Sequence, residues 1–169
     1  MATKLDMSRM GDLADPVHDK TPWNPSRKAM KRVPQPHRPI PTECPHCAGR
    51  VECVKNSEIY NGMEYGDWPW AYLCRNQECG AYVGLHPFTS IPLGTLATFE
   101  IREARKVAKG HFMKLHWPSH AKAPFKTRTE AYVWLREAMG LSAEDCHFAL
   151  FNVKQCMDAI ALILERLRK

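Results

Sequence analysis

Four of the seven cysteines fall into two close pairs. Cys44-Pro45-His46-Cys47 leaves two residues between its thiols, and Cys74-Arg75-Asn76-Gln77-Glu78-Cys79 leaves four. A two-residue gap folds into a tight turn that aims both sulfurs at one point, and the backbone N–H groups of such a turn can donate to them. Gly80 follows the second pair and can take the backbone shape that ends a turn of this kind. The 26 residues between the pairs suffice for a hairpin that returns the second turn to the first. Two pairs then supply four thiolates, the donor set of a closed tetrahedral site with Zn–S distances near ~2.3 Å. A closed set leaves no position for a substrate water. The expected role is therefore structural: one Zn2+, held by Cys44, Cys47, Cys74 and Cys79, that contributes folding free energy.

An odd number of cysteines cannot pair completely within one chain, and in a reducing compartment clustered thiols are ligands more often than bridges. Cys53 follows Cys47 by six residues and is the alternative ligand. Its place in a strand-like run favours packing as a small apolar side chain. His46, inside the first turn, would strain it by coordinating. In the C-terminal half, His111, His116, His120, Cys146, His147 and Cys156 invite a second metal hypothesis. No pair among them has a closed-site spacing, and Cys156 lies on an apolar helical stripe.

Catalysis is not expected. His86, His111, His116 or His120 could act as acid or base with Glu58, Glu64 or Asp67, but there is no nucleophile elbow, phosphate loop or open metal triad.

The elements that must position these residues divide the chain into three. Residues 1–42 hold seven of the thirteen prolines and little apolar periodicity, which predicts a disordered, Pro-rich basic arm. Residues 43–97 read as a small zinc-ribbon β module. Arg50–Lys55, Trp70–Cys74 and Ala81–Gly84 are β-prone, with turns at Asn61-Gly62 and Gly66-Asp67. Residues 98–169 read as a three-helix region packed on the ribbon. The first helix runs from an N-cap at Thr98 to about Lys114, with Ile101, Ala104, Ala108, Phe112 and Leu115 on one stripe. The second runs from near Thr129 to Gly140 and uses Tyr132, Leu135 and Met139. The third starts at Asn152, with Gln155 completing a capping-box pattern, and buries Val153, Cys156, Met157, Ile160, Ile163, Leu164 and Leu167. The expected class is α+β.

Charge is uneven across these parts. The net +6 divides into +4 over 1–42, −3 over 43–97 and +5 over 98–169. Basic flanks can neutralise phosphates, whereas an acidic middle cannot. Arg27, Lys28, Lys31 and Arg32 concentrate charge in the arm, just after Trp23. Arg102, Arg105, Lys106 and Lys109 do so on the first long helix. Trp68, Trp70, Tyr72 and Tyr82 are candidate stacking platforms for single-stranded bases, although filling the small core is the commoner use of such residues. DNA or RNA is the expected partner. The alternative is a zinc-stabilised protein–protein adaptor that presents the acidic ribbon to a host or phage protein and modulates a host enzyme. No apolar run reaches a membrane span, and the acidic N-terminus lacks a secretory or transit pattern, so the expected place is the cytoplasm.

Several linked motifs also carry a resemblance. They are Asn56-Ser57-Glu58-Ile59-Tyr60, Tyr72-Leu73-Cys74, Cys79-Gly80-Ala81-Tyr82-Val83-Gly84-Leu85-His86-Pro87 and Pro92-Leu93-Gly94-Thr95-Leu96-Ala97. Ala131-Tyr132-Val133-Trp134-Leu135, Cys146-His147, Phe151 and Cys156 follow. Over about residues 43–165 the chain resembles a family of small phage and prophage proteins known as a zinc-finger-containing domain of uncharacterised function. That resemblance implies a zinc module followed by helices in a phage or bacterial cytoplasm, hence the host cytoplasm for a phage-encoded chain. It implies no reaction. Together with the charge pattern it gives the expected function, a zinc- and nucleic-acid-binding accessory protein of a phage or prophage.

Overall fold

β-branched and aromatic residues form three short strands: β1 (Val51–Lys55), β2 (Trp70–Cys74) and β3 (Tyr82–Gly84). In the computed structural model, which describes residues 21–117 and 123–168, they make one antiparallel sheet in the order β1-β2-β3. The register pairs Val51 with Cys74, Cys53 with Tyr72 and Lys55 with Trp70, then Ala71 with Gly84 and Leu73 with Tyr82. The predicted turn residues adopt left-handed backbones, with φ of 53° at Asn61 and 90° at Gly62. The Asn56 side chain closes this loop. Its Nδ2 donates to Tyr65 O at 2.8 Å, and Tyr65 N–H donates to its Oδ1 at 3.2 Å.

The chain divides into two compact units between Leu96 and Ala97. In the first, Val51, Tyr72, Ala81, Val83, Leu85 and Leu96 pack with the buried cysteines Cys44 and Cys74. Of the expected N-terminal arm, residues 1–20 lie outside the described part. Residues 21–42 contain a single helical turn, α1 (Arg27–Met30), within the stretch expected to be disordered. The reason is local. Ser26 caps the turn by accepting from Ala29 N–H at 3.2 Å, and the turn fits in the proline-free stretch between Pro25 and Pro34. Pro22, Ala29 and Val33 are buried.

The second unit holds α2 (Phe99–Met113), α3 (Arg128–Met139) and α4 (Val153–Arg168). Thr98 caps α2, as expected, and its hydroxyl accepts from Ile101 N–H. α3 begins slightly earlier than expected because Thr127 is the cap, accepting from Glu130 N–H at 3.2 Å. Gly140 ends it with a left-handed φ of 65°. The capping box of α4 is complete: Gln155 N–H donates to Asn152 Oδ1 at 2.8 Å, and Asn152 N–H donates to Gln155 Oε1 at 3.0 Å. Ala108, Phe112, Leu115, Leu135, Phe151, Cys156 and Ile163 form the core. The α4 stripe is narrower than expected, since Met157 is 58% exposed. The α+β class, with a small antiparallel sheet and three long helices, is the observed one.

Candidate metal centre

The first cysteine turn is closed by its own backbone. Cys44 N–H donates to Gly49 O at 2.8 Å, and Ala48 N–H donates to Cys44 O at 2.9 Å. The second is closed around Asn76, whose carbonyl accepts from Cys79 N–H at 3.1 Å and from Gly80 N–H at 3.0 Å. Its side-chain Oδ1 also accepts from Glu78 N–H. Each turn ends in a left-handed residue directly after its second cysteine: Ala48 at φ 55° and Gly80 at φ 51°. The two turns are therefore the same device, with alanine in one and glycine in the other at the strained position.

The sheet brings them together. β1 leaves the first turn and β2 enters the second, and the Val51–Cys74 pairing sets both at one end of the hairpin. The sulfurs of Cys44, Cys47, Cys74 and Cys79 all lie within 4.8 Å of one another. Cys44 Sγ is 3.6 Å from Cys79 Sγ, and Cys47 Sγ is 3.5 Å from Cys74 Sγ. A regular tetrahedron with metal–sulfur bonds of ~2.3 Å has edges of about 3.8 Å. The observed separations sit close to that edge and far from the ~2.05 Å of a disulfide bond. The donor set fits zinc.

Electrostatics and sterics are tuned around the sulfurs. The Gly49 backbone N–H, donating to Cys47, pulls its thiol down to about 7. Burial pushes Cys74 up to about 12 and moves Cys79 in the same direction, against backbone bonds from Asn76 and Ala81. These donors lie two residues after each sulfur, as expected of thiolate-cradling turns, and would stabilise the charged ligands. Gly49 is a further constraint that spacing did not reveal. A Cβ there would lie 3.1 Å from both Cys47 Sγ and Cys74 Sγ, and 3.2 Å from Asn76 Cβ.

A family described as a zinc-finger-containing domain matches residues 40–166. The chain belongs to that family. No curated protein and no solved structure matches it. With the four-sulfur geometry, membership assigns one structural zinc to Cys44, Cys47, Cys74 and Cys79. When bound, that zinc cross-links the two turns and supplies folding free energy to the first unit.

The other metal candidates stand apart. Cys53 is half-buried opposite Tyr72, outside the four-sulfur group, and burial pushes its thiol up to about 11. His46 turns its Nε2 to Leu96 O, 3.0 Å away. Cys146 and Cys156 are buried in the helical core, while His147 packs near the Tyr132 ring. His120 lies outside the described residues. Among the described residues, the four cysteines are the one group with metal-holding geometry.

Of the expected stacking residues, Tyr72 is core, with its hydroxyl donating to Ser90 O at 2.7 Å. Trp68 donates to Thr89 O, and the Tyr82 hydroxyl meets that of Tyr60 at 3.1 Å. Trp70 carries the Lys55 ammonium over its ring at 4.7 Å. The expected cations divide as well. Arg27, Lys28, Lys31 and Arg32 are exposed. Arg102 and Arg105 are half-buried and donate to Ala97 O and Phe151 O, at 2.7 and 2.8 Å. Lys106 and Lys109 are exposed, with Lys106 3.7 Å from Glu103. In the ribbon, Arg50, Lys55 and Arg75 all pair with its own carboxylates: Glu52, Glu64, and Glu52 with Glu58. Among the described residues, no helix is long and apolar enough to cross a membrane.

Proposed function

We propose that this zinc-binding protein is a nucleic-acid-binding accessory factor whose phosphate contact is the segment around α1 rather than the ribbon. The observation that carries the reading is the cluster Arg27, Lys28, Lys31 and Arg32, exposed together within six residues. A helical turn rises only ~1.5 Å per residue, so the backbone positions that carry these four charges are spaced over about 8 Å along the chain axis. That density suits a polyanion. The ribbon's own cations are drawn onto its carboxylates, and Arg102 and Arg105 hold backbone carbonyls. Both facts turn the reading toward the N-terminal cluster.

The test is a binding titration against DNA and RNA, single- and double-stranded, over a range of salt. Four phosphate contacts to a single strand would lower affinity about 50-fold between 50 and 200 mM salt. Replacing Lys28 and Lys31 by alanine should reduce the logarithmic salt slope by about 1.4. Absence of salt-dependent binding to all four nucleic acids would overturn the reading. The adaptor role, with a protein partner on the acidic ribbon, would then take its place.

A further inference from the structure

The segment that carries the basic cluster is pinned in an unusual way. Its small apolar residues are the buried ones: Pro22 is fully enclosed, Ala29 is 1% exposed and Val33 is 5% exposed. Its largest side chain, Trp23, is 64% exposed although it directly follows the buried Pro22. Indoles usually dominate burial where a core can take them, so a fold that encloses the neighbours and leaves the ring in water inverts the usual preference. Three residues lie between Trp23 and Arg27, so their Cα atoms are at most about 14 Å apart when the chain is fully extended. An exposed ring thus closely precedes four exposed cations along the chain, on a segment anchored by buried residues.

We infer that Trp23 is a base-stacking platform, and that the α1 segment accordingly binds single-stranded nucleic acid in preference to duplex. This rests on the nucleic-acid reading of the same cluster. In a single strand the bases are free to leave the backbone and lie on an aromatic face while the cations track the phosphates. In a duplex the faces of the bases are already stacked, so only the phosphates remain to be bound, and Trp23 has nothing to cover. The more obvious aromatics do not serve here: Tyr72 is enclosed, and Trp68 and Tyr82 are held by hydrogen bonds inside the ribbon.

The experiment uses the full zinc-loaded chain with a dT oligomer, a U oligomer of the same length (about 15 nucleotides) and a mixed duplex, each titrated across salt. Trp23→Ala should weaken binding to both single strands about 5- to 160-fold and leave the duplex unchanged. It removes no charge, so the salt slope should stay at its wild-type value. Trp23→Phe should recover most of the lost affinity. Zinc content and thermal stability should be unaffected, since the ring is exposed. Equal loss on single strands and duplex, or no loss on either, would overturn the stacking role. If Trp23→Ala binds like wild type while Lys28→Ala with Lys31→Ala still lowers the slope, stacking alone fails and the phosphate-binding reading stands. If wild type binds no nucleic acid, both fall together. A dT-versus-U difference lost in Trp23→Ala would further support the role and identify which strand is preferred.

Discussion

Replacing Gly49 by alanine tests whether the zinc site is limited by its sulfurs or by the space between the two turns. The added methyl would sit 3.1 Å from two sulfurs and 3.2 Å from Asn76 Cβ. Carbon atoms prefer separations of about 3.5–4.0 Å, and sulfur is larger, so each contact is short by several tenths of an ångström. Elsewhere a side chain could swing away. Here Cys47 and Cys74 are fixed by the metal and by their backbone donors, so the strain must fall on the site. Overpacking of this kind costs about 1–3 kcal/mol. Stiffening the unfolded chain returns about 0.4–1 kcal/mol, because the φ of Gly49 lies outside the left-handed region. The net cost is about 1.3 kcal/mol from the midpoints of the two ranges and at most about 2.6 kcal/mol, and because metal binding and folding are linked it should weaken zinc about 10-fold and at most about 80-fold. A competition titration against a chromophoric chelator reads this directly. Gly110→Ala is the control. Its Cβ meets nothing within 4 Å on the exposed side of α2, and the same substitution there should stabilise the helical unit by about 0.5–1 kcal/mol with zinc affinity unchanged. If Gly49→Ala held zinc as tightly as wild type, the steric reasoning would be refuted.

The paired turns make a second prediction with opposite signs. Ala48→Gly should raise stability by about 1 kcal/mol and Gly80→Ala should lower it by a similar amount, measured by chemical denaturation of the zinc form. For the ligand set, metal analysis should find one zinc per chain in wild type and in Cys53→Ser. Cys44→Ser and Cys79→Ser should lose the metal together with the near-ultraviolet signal of the ribbon aromatics. Retention of zinc in either of those two would refute the assignment. Finally, Arg105→Ala should destabilise the helical unit by about 1–3 kcal/mol, since it strips the donor from Phe151 O and opens a half-buried site. Lys109→Ala, on the exposed face, should change stability by less than about 0.5 kcal/mol. Equal effects would show that the Arg105 bond contributes nothing.

Much of the scaffold was legible because its causes are local. Thr98, Gly140 and the Asn152/Gln155 pair mark helix ends through hydrogen bonds or backbone shapes that span only a few residues. The Asn61-Gly62 turn and the two cysteine spacings are local for the same reason. The fate of a cation or an aromatic ring is not local. In the sequence Arg105 is one more charge on a helix face, and only the approach of Phe151, 46 residues away, makes it a half-buried donor. Tyr72 and Tyr82 looked like stacking platforms until the sheet placed their hydroxyls against Ser90 O and Tyr60. Trp23, which in the sequence is only a neighbour of charges, is a ring left in water.

The four cysteines show the same division. Their spacing by itself pointed to the ligand set, because two thiols held in one tight turn can converge without help from the rest of the chain, but it left Cys53 as an alternative. Tertiary structure decided how the two turns meet. The Val51–Cys74 register brings the sulfurs to within a metal tetrahedron, and a glycine at position 49 leaves room between them. It also decided which cysteines stay out. Cys53, Cys146 and Cys156 have the same chemistry as the ligands, but strand pairing holds the half-buried Cys53 and helix packing the buried Cys146 and Cys156 elsewhere, where a thiol is a small apolar side chain.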